Sequence, residues 1–185
     1  MIKFLDILRE AKQVGDIYHF TSVDGIANML KEYQSITLDI EYSSQAGEGY
    51  FSFTRNPNLS SLSTFQKQVR LKLNGNKMSN KYKFEPHADI KSSDSYQKGK
   101  YGEFSEFEAE ERINAKNNPK VDLTPYIESV VIVSPKIIEK EYPKSSGIYK
   151  EVMDDYKKII KWFIEKHIPI TYSNKETTSS NRRAK

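Results

Sequence analysis

Polar and apolar residues alternate with a period of two along three stretches of the chain. In "GYFSFTRNPN" Phe51 and Phe53 fall on one side of a strand and Tyr50, Ser52 and Thr54 on the other, and Asn56–Pro57 ends it. In "QVRLKLNGNK" Val69, Leu71 and Leu73 alternate with Arg70 and Lys72, and Asn74–Gly75 predicts a turn. "DIYHFT" predicts a short strand, "SITLDI" a brief extended piece, "YIESVVIVS" a buried strand and "IPITYS" a last strand. The helical period governs three other regions. Residues 2–13 set Phe4, Leu5, Leu8 and Ala11 on one face, with Gly15 to end the helix. Ser22 is placed as an N-cap, with Asp24 in the positive first turn and a stripe of Ile26, Met29, Leu30 and Tyr33 behind it. "IYKEVMDDYKKIIKWFIEKH" carries Val152, Tyr156, Ile159, Ile160 and Phe163 on one side. Residues 85–103 are polar and read as a long loop. The expectation is a single α+β domain over residues 1–172, with a mixed or mostly antiparallel sheet and helices near its edges.

Composition narrows the classes of function. The chain has 185 residues, 37 % of them hydrophobic and 29 % charged, enough for one domain with its own core. No apolar run approaches the ~20 residues of a membrane helix, and "MIKFLDILREAK" carries Asp6, Arg9 and Glu10 among its apolar positions, unlike a signal peptide. The chain contains no cysteine, which excludes disulfides, thiolate metal sites and a cysteine nucleophile; a cytoplasmic location without metal or membrane partners is expected. Net charge is +4, of which residues 173–185, "SNKETTSSNRRAK", hold +3, so the basic excess belongs to a Ser/Thr/Asn-rich tail expected to be disordered.

Candidate chemistry gathers in three segments. In "YHFTSVDGI" His19 sits in an apolar run beside Thr21, so the imidazole and hydroxyl can hydrogen-bond a polar ligand. In "FSFTRNPNL" Arg55 ends a strand, where a planar guanidinium suits a pyrophosphate. "EFSEFEAEERI" concentrates Glu103, Glu106, Glu108, Glu110 and Glu111. Each has a plainer reading when taken singly: a structural histidine, a surface arginine paired with a carboxylate, and a solvated helix face with Phe104 and Phe107 turned inward.

In their order along the chain, the three segments resemble the motifs of the DarT-type ADP-ribosyltransferases, which use NAD to modify DNA bases. "YHFTSVDGI" looks like that family's tyrosine–histidine strand, "FSFTRNPNL" like its arginine strand, and "EAEERI" like the segment bearing its catalytic glutamate. The resemblance implies an ADP-ribosyltransferase fold with NAD as substrate. It implies Glu110 and Arg55 as catalytic residues, and His19, Thr21, Ser52, Thr54 and Arg55 as NAD-binding residues. Glu108 matches the acceptor-handling position of a Glu-x-Glu pair, and Glu111 rivals Glu110 for the catalytic place. The implied acceptor is single-stranded DNA, another nucleic acid or a protein, in the setting of a toxin–antitoxin pair or a phage-encoded modifier. A catalytically inactive relative, acting as a binding protein against a DarT-type defence, is the alternative. Three departures stand out. Gly25 occupies a position where the family typically has asparagine, Ser52 and Thr54 stand before Arg55 where the family often has other residues, and the loop at 85–103 has no clear counterpart, so His87 receives no role.

Overall fold

The computed structural model describes residues 14–41, 49–55, 57, 68–87 and 110–174, with only the backbone for 85–87 and 110. The helix expected over residues 2–13, Glu108 and the tail from 175 onward lie outside the described residues. The architecture is α+β: a seven-stranded, mostly antiparallel sheet with helices, and a separate two-stranded ribbon. The strands are β1 (Asp16–Thr21), β2 (Thr37–Asp39), β3 (Tyr50–Thr54), β4 (Val69–Asn74), β5 (Phe84–His87), β6 (Glu110–Asn114), β7 (Lys120–Asp122), β8 (Ile127–Val133) and β9 (Ile170–Ser173). Helices α1 (Val23–Tyr33), α2 (Gly75–Ser79), α3 (Pro135–Glu141) and α4 (Tyr149–Glu165) complete the fold. The large sheet runs β5-β6-β3-β1-β4-β8-β9, and β2 pairs with β7.

Alternation makes the sheet one-sided. Ile17, Phe51, Phe53, Val69, Leu71, Leu73, Ile113, Val130 and Ile132 are buried and join Ile26 of α1 and Val152, Tyr156, Ile159 and Phe163 of α4 in one core. The intervening residues are mostly half-buried and polar or aromatic: Arg70 lies over the Tyr18 ring, Arg112 over the Tyr50 ring, and Lys72 bridges Asp16 and Glu128. Such a face suits water, whereas its reverse does not.

Three expectations are corrected. Asn74–Gly75 opens a helix and not a hairpin turn. The Asn74 side chain accepts a hydrogen bond from the Lys77 amide at 2.8 Å, and the Gly75 amide donates to the Gly15 carbonyl at 2.9 Å. A Cβ at Gly75 would stand 2.4 Å from that carbonyl oxygen, so glycine serves close approach here. Likewise, part of the polar stretch read as loop is strand β5, and the end of the glutamate-rich segment is strand β6 and not a helix face. Ser22 caps α1 as expected, accepting from the Gly25 amide at 2.9 Å.

The small ribbon is tied by one buried charge. Asp39, with its side chain 1 % exposed, accepts the Tyr33 hydroxyl at 2.5 Å, the Glu41 amide at 2.9 Å and Lys120 at 3.0 Å. Burial alone would raise its pKa, but the Tyr33, Glu41 and Lys120 hydrogen bonds outweigh burial and hold it below the usual carboxylate value. The same hydrogen bond pushes the Tyr33 hydroxyl up to about 12. A depressed carboxylate contributes stability above its unfolded pKa of about 4 and loses it as pH falls through the folded value. Asp39→Asn is therefore expected to lower the thermal midpoint by roughly 5 °C at pH 7. The gap from wild type should close as thermal unfolding is followed below about pH 4.

Candidate active site

The strand order sets the three motifs side by side. β1, β3 and β6, which carry His19, Arg55 at the strand end and the glutamates, are adjacent in the sheet. The pairing of Tyr18 with Thr54 and of Phe53 with Glu111 draws a transverse row from His19 through Phe53 to Glu111 on the buried face. The His19 and Phe53 rings lie 5.8 Å apart, and Phe84 meets Phe53 edge-on at 5.9 Å. His19 and Glu111 are two strand spacings apart, about 10 Å, with an aromatic ring between them.

Glu111 is the acidic member of this row. It is 4 % exposed among apolar residues, and Arg55 Nη2 donates a hydrogen bond to its Oε1. Arg55 reaches it diagonally from the residue after β3, since Glu111 pairs with Phe53 two positions earlier. The arginine side chain is 39 % exposed, so the pair has a wet end and a dry end. The backbone of Glu110 is in register with Thr54 and His87; its side chain lies outside the described residues. Neighbouring strand residues face opposite sides of a sheet, so locating Glu111 in the row requires the register, which spacing in the sequence does not contain.

The NAD-binding residues expected from the sequence divide between the faces. His19 shares the row, and Thr21 lies two residues further along the same side of β1, beside Val69. Ser52 is in register with Arg112, and Thr54, 6 % exposed, with Tyr18, which places both on the reverse side. Ser52 contributes by its backbone: His19 Nδ1 lies 3.5 Å from its carbonyl oxygen, at the outer limit of a hydrogen bond. That contact falls where the sheet is least zipped. Among the described residues β1 and β3 share one registered pair, against six between β1 and β4 and five between β3 and β6.

Gly25 gains a local explanation. A Cβ there would lie 2.5 Å from Thr21 Oγ1 and 3.2 Å from Ser22 Oγ, so a larger residue would push the Thr21 hydroxyl out of place.

Grooves elsewhere do not compete on chemistry. One of about 800 Å³ between α1 and α4 is lined by residues such as Lys31, Lys150, Glu151 and Asp155, and a smaller one beside β9 is lined by residues such as Ile160, Ile164 and Tyr172. Neither includes His19, Arg55 or Glu111. Space alone does not make a site; a buried carboxylate held by a half-exposed guanidinium has the better claim. Among the described residues no group of three His, Asp or Glu could hold a metal ion, and no helix is long and apolar enough to cross a membrane. No protein-family model matches the chain, and no curated protein matches it significantly.

Removing one partner of the pair is expected to cost more than neutralising the other. Arg55→Ala leaves a buried carboxylate without its cation and should lower stability to urea by about 2 kcal/mol, less than for a fully buried pair because water reaches the arginine. Glu111→Gln should cost less than about 1 kcal/mol, and in the Glu111→Gln background Arg55→Ala should add little. Equal losses in all three variants would contradict this account of the pair.

Proposed function

We propose that the chain is an NAD-dependent ADP-ribosyltransferase of the DarT-like kind, with Glu111 as its electrostatic carboxylate. The observation that supports this reading is the row itself: a histidine, a buried glutamate and the arginine attached to that glutamate come from three separated motifs to one side of adjacent strands. ADP-ribosyl transfer breaks the bond between the ribose and nicotinamide, and positive charge grows on the ribose as nicotinamide leaves. A fixed carboxylate in an apolar setting stabilises that charge most strongly in the transition state. Arg55 binds the pyrophosphate, whose charge is present throughout. His19 hydrogen-bonds the ribose or the carboxamide, and Thr21 supports it. The acceptor, a nucleic-acid base or a protein side chain, attacks the ribose carbon and loses its proton to Glu111 or to water.

One observation favours a second reading, a binding protein that keeps the fold without catalysis. Gly25 stands where the family's asparagine amide would be, and the space beside it is filled by Thr21.

The discriminating experiment incubates the protein with NAD labelled in the adenylate half, together with single-stranded DNA, RNA or cell lysate. Label in one macromolecular fraction is expected. Glu111→Gln should reduce transfer about 100-fold or more without weakening NAD binding, and His19→Ala should weaken NAD binding. Loss of transfer in Glu110→Gln with full transfer in Glu111→Gln would return the catalytic role to Glu110. A wild type that neither transfers label nor binds NAD would leave the binding-protein reading.

A further inference from the structure

The Arg55–Glu111 pair has a direction. The carboxylate side chain is 5 % exposed and the guanidinium 39 %, so a ligand arriving from water meets the cation first and finds it engaged. We propose that Arg55 is a latch on Glu111: it holds the carboxylate in the empty site and is drawn off by a ligand bearing a pyrophosphate, so that anion capture and release of the carboxylate are one event. The inference rests on reading this row as the NAD site.

The exchange follows from the chemistry of the two acceptors. Arg55 engages Glu111 through Nη2, whereas a pyrophosphate offers several oxygens and more negative charge to the whole planar fork. The move takes Arg55 toward its solvated side and takes no cation into the core. Glu111 bears the cost. Its cross-strand neighbour Phe53 has no polar group and is 2 % exposed, so a carboxylate that loses Arg55 is left in a place that disfavours unpaired charge. Positive charge developing on a ribose beside it would relieve that cost, so the carboxylate freed by ligand binding acts most strongly on the transition state. In the empty protein the pair stays closed and the buried carboxylate does not weaken the fold.

The test needs no turnover. Calorimetry with inorganic pyrophosphate and with ADP is run on the wild type, Glu111→Gln and Glu111→Gln combined with Arg55→Lys. The latch predicts that Glu111→Gln binds both anions about tenfold more tightly than wild type, because Arg55 no longer has to leave a partner. Lysine should lose most of that gain. A second readout uses the wild type alone: the NMR side-chain carboxyl resonance of Glu111 should shift as pyrophosphate saturates. Binding to Glu111→Gln that equals or falls below wild type, no measurable pyrophosphate binding by either protein, or an unmoved Glu111 resonance in the saturated wild type overturns the latch. Absence of NAD turnover in a wild type that shows the tightening and the shift would instead count against the NAD reading alone.

Discussion

Among the described residues, the ladder between β1 and β3 is the shortest of the large sheet. Tyr18 and Thr54 form the registered pair between β1 and β3, while the ladders on either side are longer. The Ser52 carbonyl also lies 3.5 Å from the His19 Nδ1, a side-chain contact across the same two strands. The two halves of the sheet, β1-β4-β8-β9 and β3-β6-β5, can therefore carry different residues up to the same seam. His19 comes from one half, and Arg55 and Glu111 come from the other.

Much of the fold was legible because its signals are local. The strand "DIYHFT" coincides with β1, Ser22 caps α1 through its own hydroxyl, and the stripe of Val152, Tyr156, Ile159 and Phe163 is buried on α4. Misreadings arose where a local signal competes with a distant partner. Asn–Gly is a strong hairpin signal, yet Gly75 is chosen for its approach to Gly15, sixty positions earlier in the chain. The glutamate-rich segment supports a helical period through Phe104 and Phe107, but Glu110–Asn114 is held as a strand by pairing with both β3 and β5. Helix α3 and strand β7 leave little mark in the sequence because each is short and lacks a periodic stripe. The candidate site was legible as residue types in an order and illegible as a register. Which of two adjacent glutamates joins the histidine's side depends on the Phe53–Glu111 pairing, which no single segment encodes.

The charged and aromatic side of the sheet has its own role in keeping that register. Arg70 over Tyr18, Arg112 over Tyr50, and Lys72 between Asp16 and Glu128 each cross from one strand to its neighbour. Individually such contacts contribute little at a wet surface. A slip of one residue would bring these groups into the core and the apolar residues into water, so together the two faces reject alternative pairings.

Strand β9 is parallel to β8 and is reached from it through α3 and α4, while every other pairing in the large sheet is antiparallel. During synthesis, then, six strands are complete once Val133 has left the ribosome, but the residues of α4 that cover part of their apolar face are not yet made. At that point the apolar side of these strands has α1 but not α4 to cover it, the kind of exposed surface that chaperones bind and that promotes aggregation. Slowing translation after residue 133 would prolong that exposure, whereas supplying α4 and β9 as a separate polypeptide would offer the unfinished sheet its missing cover.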